Sequence, residues 1–428
     1  MKIIKSNHKY LTSEIVEECF VKGKLTSVDK TVTGNGFSTG FLNLPVRLGR
    51  KHIMIAPNVA VVEEKEKAYL ADLLLPLEHK DKVFHSENRM KFFYGKGFDD
   101  NFDDAEILVF VADSFIMRRD AIASIAHRID KVLLDEIHSV HQQSLYRDIL
   151  VDFENRVVNR FTSNVSLVSV TASPILFARV DIKIENKYTP EQTINYSKNR
   201  KETIEKIKED ISNGENVVVF TNNSGVVYNL SDKNDRSLEA KFVVGTNLFN
   251  GIGKKVTLIH NETSNLTVVS SRGFEGWDCN YEDSSVYFFE DRSSNYESFM
   301  ISNLYQAINR VRKGAAYVEY CRQEVSDKFK PEFRDIKKEL YAFINDTSIS
   351  TEKKLSSTYK KFRPYVIKVR NGNGISLKMN RISINLYLEK EMYNLQFPQK
   401  AIMEFVNDRN ITFNKIETMS NRIRTRTD

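Results

Sequence analysis

Short runs of Val, Ile, Leu and Phe recur along the chain at Ile53–Ala56, Ile107–Val111, Val132–Leu134, Val165–Val170, Val217–Phe220, Leu266–Ser270 and Val286–Phe289. A strand covered on both faces reads as a continuous apolar run, and parallel sheets are covered in that way. Longer stretches with helical character, such as Val59–Leu74 and Lys198–Ser212, lie between them. Strand–helix alternation of this kind predicts an α/β fold with parallel sheets. The alternation restarts near residue 190, after a TASP run (Thr171–Pro174) and a polar stretch over Lys187–Lys201 that reads as a joint. The expectation is therefore two tandem parallel-sheet domains, residues 1–185 and 186–330. They are followed by a small, mainly helical, basic accessory region, 331–428. There Pro331–Asn345 and Lys400–Arg409 read as helices and Asn371–Gly374 (NGNG) as a turn.

The 428 residues are 41% hydrophobic and 28% charged, so the chain can bury real cores. Cys19, Cys279 and Cys321 are far apart and form no CxxC pair. That spacing supports neither a disulfide framework nor a zinc ribbon, and it fits a reducing, cytosol-like compartment. No apolar run is long enough for a membrane span, and the first residues lack the apolar core of a signal peptide. The net charge of +6 is unevenly placed: residues 351–428 hold 16 Lys and Arg against 7 Asp and Glu. A basic end on a near-neutral body suits contact with a polyanion, and equally a solvated helical surface.

Four local patterns carry chemistry. In Leu133–His138 (LLDEIH) an apolar strand runs into two carboxylates. At the carboxyl end of a parallel strand, Asp135 is placed to hold Mg2+ and Glu136 to orient and deprotonate a water. In Thr33–Gly40 (TGNGFSTG) glycines free the backbone to wrap a phosphate, and Ser38 offers a hydroxyl to a metal. A standard phosphate loop has lysine where Phe37 stands. Gln306–Lys313 (QAINRVRK) spaces Gln306 and Arg310 for one helix face. Val268–Asp278 (VVSSRGFEGWD) is a strand that empties into hydroxyls, glycines and an acid. Each pattern alone also fits a plain loop, turn or basic surface helix. An Asp135–His138–His141 metal site and a nuclease built on the acidic run Asp99, Asp100, Asp103 and Asp104 are weaker readings of the same residues.

The order of these patterns resembles that of superfamily 2 helicases and translocases. TGNGFST resembles motif I, Ile55–Asn58 (IAPN) motif Ia, Ala112–Ser114 motif Ib, Asp135–His138 motif II and Thr171–Ser173 motif III. Val217–Asn223 resembles motif IV, SSRGFEGWD motif V and QAINRVR motif VI. The match spans about residues 30–315, and within the superfamily it is similar to viral and phage replication helicases of the origin-binding type and to the translocase subunits of restriction enzymes.

The resemblance implies two RecA-like lobes that bind ATP and Mg2+. Thr33, Gly34, Asn35, Gly36, Phe37, Ser38 and Thr39 would hold the phosphates, with Gly276 and Asp278 near the nucleotide. Ser38 and Asp135 would hold the metal, Glu136 the water, and Arg310 the charge of the transferred phosphoryl group, with Arg312 or Lys313 in the second basic role and Gln306 bridging the lobes. His138, Thr171 and Ser173 would couple the nucleotide state to lobe movement. Pro57, Asn58, Ser114, Thr221 and Asn222 would grip a nucleic-acid backbone, DNA rather than RNA, with replication-complex proteins as further partners. Aromatics Tyr359, Phe362, Tyr365, Tyr387 and Tyr393 would either stack on bases or form the core of the C-terminal region. The location implied is the cytoplasm, that of the host for a phage protein. Phe37 departs from the family pattern. Three accounts stay open: another cation, Lys30 or Lys96, reaches the phosphates; turnover is slow; or the core is a binding scaffold without turnover.

Overall fold

Apolar strands that must be buried on both faces organise both halves of the molecule. A computed structural model describes residues 1–32, 34–73, 89–94, 101–143, 148–150, 153–161, 164–172, 179–187, 192–232, 234, 236–243, 256–270, 279, 281–289, 304, 306–307, 310–311, 315–322, 336–354, 365–371, 374–380, 384 and 411–415. The chain divides into two units. The first takes Met1–Thr31, Asn35–Lys187 and Glu332–Glu391; the second takes Val32–Gly34, Tyr188–Pro331 and Met392–Asp428.

The first unit is built on eight strands: β1 (Lys2–Ser6), β2 (Leu25–Asp29), β3 (Lys51–Ala56), β4 (Met90–Phe93), β5 (Ile107–Val111), β6 (Ile129–Leu134), β7 (Ser166–Thr171) and β8 (Ile182–Asn186). They form one sheet in the order β1-β8-β2-β7-β6-β3-β5-β4, and every pairing is parallel. β3, β5, β6 and β7 are buried along their whole length. Helices α1 (Ser13–Glu17), α2 (Phe37–Leu42), α3 (Val59–Leu73), α4 (Ala112–Met117), α5 (Arg119–Ser124), α6 (Ile137–Gln143) and α7 (Phe153–Val158) complete this part. One core cluster joins Val28, Phe37, Phe41, Met54, Val62, Leu133 and Val168. A second, built on the alternate residues of the same strands, joins Ile53, Leu108, Phe110, Phe115, Val132, Ile137 and Phe153. Two cores from alternating positions are what a sheet covered on both faces requires.

The second unit repeats the plan with α8 (Arg200–Ser212), α9 (Ser224–Leu230) and strands β9 (Gln192–Ser197), β10 (Val217–Phe220), β11 (Ser237–Val243), β12 (Thr257–His260), β13 (Leu266–Val269), β14 (Ser284–Phe289) and β15 (Ala315–Cys321). With β18 (Ile411–Lys415) they make a parallel sheet in the order β12-β11-β13-β10-β14-β15-β9-β18.

All seven apolar runs fall within or along these strands. Two expectations need correction. The polar joint over Lys187–Lys201 contains β9, whose Thr193 and Asn195 alternate with buried Ile194 and Tyr196. The strand signal also does not end near residue 330. β16 (Val366–Asn371) and β17 (Gly374–Met379) pair as an antiparallel hairpin that closes with Asn371 opposite Gly374, the two ends of the NGNG run. They accompany α10 (Ile336–Asn345) and α11 (Thr351–Lys354) in the first unit, while β18 joins the second sheet. Charged residues at alternate hairpin positions, Lys368 and Arg370, hide its strand character. Tyr365 packs with Leu340, Phe343, Val366 and Ile384; Tyr359, Phe362, Tyr387, Tyr393 and the expected helix Lys400–Arg409 lie outside the described residues.

Cys19, Cys279 and Cys321 are buried, and none of them is in a disulfide. Among the described residues no helix is long and apolar enough to cross a membrane.

Two of the buried histidines of the first unit, His52 and His141, are held neutral by burial. His52 on β3 is fully buried, and burial, reinforced by nearby Lys131, pushes its imidazole down to about 3. Burial does the same to His141 on α6, with His138 adding to the effect, again to about 3. An imidazole that stays neutral when folded but takes a proton near its ordinary value when unfolded favours the unfolded chain in acid. This source of stability is complete above about pH 6.5 and is lost as pH falls toward about 3, with a slope approaching 1.4 kcal/mol per pH unit for each histidine. Denaturant unfolding of wild type and His141→Leu between about pH 7 and about pH 5 checks this: the variant should show the shallower decline. An identical decline in both proteins would mean that His141 takes up no proton on unfolding.

Candidate nucleotide site in the first unit

Three neighbouring strands of the first sheet end at one edge. Asp29 of β2 pairs with Thr171 of β7, and Ser169 of β7 pairs with Leu134 of β6. Because the strands are parallel, the residues that follow them, Lys30, Ala172 and Asp135, leave the sheet on the same side, where α/β proteins place their ligands. The backbone holds them there: Lys30 N–H donates to the Thr171 carbonyl at 3.0 Å and Asp135 N–H to the Ile55 carbonyl at 2.9 Å.

The segment after β2 is tied down residue by residue. Thr31 N–H donates to Asp29 Oδ1 at 2.8 Å, and Thr31 Oγ1 to the Ile184 carbonyl at 2.6 Å. These bonds fix Thr31 at φ 52, a left-handed conformation that threonine rarely adopts. Asn35 Nδ2 donates to the Lys30 carbonyl at 3.0 Å, Asn35 Oδ1 accepts from Phe37 N–H at 3.2 Å, and the Asn35 carbonyl accepts from Leu11 N–H at 2.7 Å. Gly34 and Gly36 supply positive φ values of 66 and 83, which only glycine adopts freely. Gly40 on α2 has a different role: a Cβ there would lie 2.8 Å from Val16 Cγ2, so its absence lets α1 approach α2.

Four charged or polar side chains meet at this edge. Ser38 Oγ donates to Asp135 Oδ2 at 2.6 Å. Lys30 Nζ lies 2.5 Å from Glu136 Oε1 and 3.7 Å from Asp135 Oδ1. Lys30, Asp135 and Glu136 are each no more than 5% exposed. Buried charges persist only when paired, and here one ammonium faces two carboxylates. Glu136 itself sits at φ 44, a backbone conformation that costs about 1–3 kcal/mol and is held by its surroundings. Behind it, His138 Nδ1 lies 3.5 Å from Glu136 Oε2 and shares a hydrogen bond with Thr171 Oγ1 at 2.7 Å, its direction set by the imidazole tautomer. A continuous polar chain thus runs from Thr171 through His138, Glu136 and Lys30 to Asp135 and Ser38.

Asp135 Oδ1 is buried and accepts no hydrogen bond among the described residues. With the Ser38 hydroxyl on its other oxygen, this donor set fits a hard cation such as Mg2+, which takes one or two carboxylates and completes its shell with water and phosphate oxygens. The alternative trio Asp135, His138 and His141 is not gathered: among the described residues no group of three His, Cys, Asp or Glu is placed to hold a metal. In the acidic run, Asp103 is bound to Arg128, which holds its carboxyl below the usual range; Asp99 and Asp100 lie outside the described residues.

The sequence-derived site residues divide. Asp135, Glu136, Ser38, Asn35, His138 and Thr171 come together in the first unit, with Gly36 in the same loop and Thr39 exposed one residue beyond Ser38. Phe37 does not face them. It is 1% exposed and packs in the core with Leu11, Val16 and Phe41. Pro57 is buried, and half-buried Asn58 caps α3 by accepting from Val61 N–H at 3.1 Å. Ser114 and Thr221 are buried, at 2% and 0% exposure, so as the protein stands their hydroxyls are not offered to an external strand. Thr221 Oγ1 instead accepts from Asn223 N–H at 3.0 Å, beside half-buried Asn222. In the second unit Gln306 is helical and fully buried. Arg310, 6% exposed, stands in a turn whose carbonyl accepts from Cys279 N–H at 2.8 Å. Thr33, Ser173, Gly276, Asp278 and Arg312 lie outside the described residues, as does Lys96. Sequence reasoning overlooked Asp29 as the anchor of Thr31; an acid shortly before the glycine-rich segment Thr33–Gly40 is its only signal.

Two parallel α/β sheets in tandem make the fold that of two RecA-like lobes. A particular likeness bears this out. A single-residue variant of S. cerevisiae Dbp5 bound to RNA and ADP BeF3 superposes with a TM-score of 0.50 over 97% of this chain and 92% of its own, at 12% identity. The DEAD-box helicase Mss116 bound to ssRNA and UDP-BeF gives 0.49, covering 96% and 94% at 12% identity. Mycobacterium smegmatis helicase Lhr bound to ssDNA and AMP-PNP gives 0.46 at 12% identity; there the match covers 71% of this chain and only 44% of Lhr. No protein-family model matches the chain, and no curated protein matches it in sequence.

The place of Phe37 has a measurable consequence. Phe37→Ala should lower the stability of the first unit by about 3–5 kcal/mol, as expected for a phenylalanine removed from a packed core. Phe37→Lys should cost more, since it buries an ammonium among apolar groups. Chemical denaturation followed by near-ultraviolet circular dichroism measures both. A Phe37→Lys protein as stable as wild type would show that the ring is not packed as described.

Proposed function

We propose that the chain is a nucleic-acid-dependent ATP hydrolase, a translocase or helicase of the superfamily 2 type. The observation that carries this reading is the edge where β2, β7 and β6 end. There a buried lysine, a serine hydroxyl and two carboxylates stand beside a glycine-containing loop fixed by its own asparagine. In this reading Ser38 and Asp135 would hold Mg2+, which would supply positive charge to the triphosphate. Glu136 takes a proton from a water whose oxygen bonds to the γ-phosphorus. The bond from that phosphorus to the β–γ bridging oxygen breaks, and the electron pair leaves with ADP. His138 and Thr171 keep the Glu136 carboxylate oriented. The order of the helicase-like motifs supports nucleic acid as the polymer. At the finer level we assign DNA, replication or remodelling, and a viral or phage setting, on the resemblance of those motifs. The basic residues of 351–428 add sequence-independent attraction to a phosphate backbone.

A second reading is favoured by one observation: Phe37 is committed to the core, and Lys30 occupies Glu136. Under it the protein is a helicase-fold scaffold that binds nucleic acid without turnover, with salt-dependent affinity unaffected by ATP.

Phosphate release from Mg2+-ATP, with and without single-stranded and duplex DNA and RNA, separates the two. The hydrolase reading expects release that nucleic acid stimulates and that Glu136→Gln lowers by at least about a hundredfold. Release no greater than that of the variant under every condition would leave the scaffold.

A further inference from the structure

We propose that Lys30 supplies the phosphate-binding cation that position 37 lacks, and that in the nucleotide-free protein the same ammonium holds Glu136 in check. The inference rests on the hydrolase reading above and deepens it. Lys30 follows β2 directly, seven positions ahead of the place where a phosphate loop ordinarily carries its lysine. Its backbone is fixed on both sides, by its N–H on the Thr171 carbonyl and by Asn35 Nδ2 on its own carbonyl. Only the side chain is left to move. Nζ lies 2.5 Å from Glu136 Oε1 and 3.7 Å from Asp135 Oδ1, and the Ser38 hydroxyl is bonded to that same Asp135. The ammonium therefore already stands where a metal-bound triphosphate would bring its negative charge.

Two carboxylates would hold a buried lysine even in a purely structural role. This one is tied to the group assigned to take a proton from water, beside an aspartate oxygen with no hydrogen-bond donor among the described residues. While Nζ holds Glu136 Oε1, that carboxylate is poorly placed to accept a proton from water. An incoming triphosphate offers the ammonium several oxygens of higher charge density. Transfer of Nζ from Glu136 to the β- and γ-phosphate oxygens, with Mg2+ neutralising Asp135, frees Glu136 when substrate is in place. No covalent bond changes in this step; one ion pair is exchanged for another. Phe37 fits the same picture: its ring is spent on the core, so the loop takes its cation from the strand end instead.

The test is equilibrium binding of ATP, ADP and AMP with Mg2+, by calorimetry, to wild type, Lys30→Arg, Glu136→Gln and Lys30→Met/Glu136→Gln, each confirmed folded by its melting curve. Lys30→Met alone would strand two buried carboxylates, so the informative comparison is the double variant against Glu136→Gln, where that imbalance is relieved. The double variant should bind ATP about tenfold or more weakly than Glu136→Gln, the scale of one lost charged contact. AMP affinity should be almost unchanged between the two. Glu136→Gln should bind ATP more tightly than wild type, because the ammonium no longer has to leave a carboxylate. Lys30→Arg should keep most ATP affinity. Equal ATP affinity in Glu136→Gln and the double variant would overturn the role of Lys30 and leave the hydrolase reading intact. Absence of ATP binding in wild type and Glu136→Gln alike would overturn the hydrolase reading itself.

Discussion

The parallel ladder that joins β2, β7 and β6 is the constraint on which the rest of the first unit depends. Parallel pairing sends all three strands toward the same edge, and their register places Asp29 opposite Thr171 and Leu134 opposite Ser169. Every group assigned to chemistry follows within a few residues of those strand ends or hangs on the loop after β2. Nothing about Lys30 or Asp135 in isolation makes a site. They become one because a buried β7 separates them by a single strand, a distance that a lysine side chain spans.

The energetics run in opposite directions on the two sides of that edge. Below it, the strands are packed on both faces by apolar side chains, and hydrophobic burial stabilises them. Above it, an ammonium and two carboxylates are nearly out of water, an arrangement that costs desolvation and repays it only through close pairing. Glu136 adds a left-handed backbone. Proteins keep such locally unfavourable groups where the surrounding fold is rigid enough to impose them, and functional sites are where they gather. The Asn35 side chain, bonded to the Lys30 carbonyl and the Phe37 N–H, stiffens the loop in the same sense.

The sequence revealed what was apolar and concealed what was polar and buried. β3, β5, β6, β7, β10, β13 and β14 are legible because each carries a short, mostly apolar run. β2 (LTSVD) is not, since Thr26 is almost wholly buried within it and Ser27 interrupts the run. β15 hides in the same way: its buried Glu319 accepts from Thr203 Oγ1 at 2.5 Å and Tyr317 OH at 2.6 Å. The carboxylate pair was readable because it follows an apolar strand. Lys30 was one of two candidate cations, and only the pairing of three strands distinguishes it from a surface lysine. The loop was readable from its glycines, but the inward turn of Phe37 was not, since a glycine-rich pattern does not say which face of the next helix is buried.

One feature of the ladder also bears on how the protein is made. β2 and β6 never touch; β7, more than 130 positions after β2 in the chain, lies between them. A chain growing from its amino end therefore carries Lys30 for more than 130 positions as a hydrated charge separate from the Asp135–Glu136 pair. They are brought together only when Ser166–Thr171 inserts. Long-range parallel pairing is slow because loop closure precedes any reward. The groups hardest to take out of water thus wait for β7 before they lose it, and a chain without β7 has no candidate site.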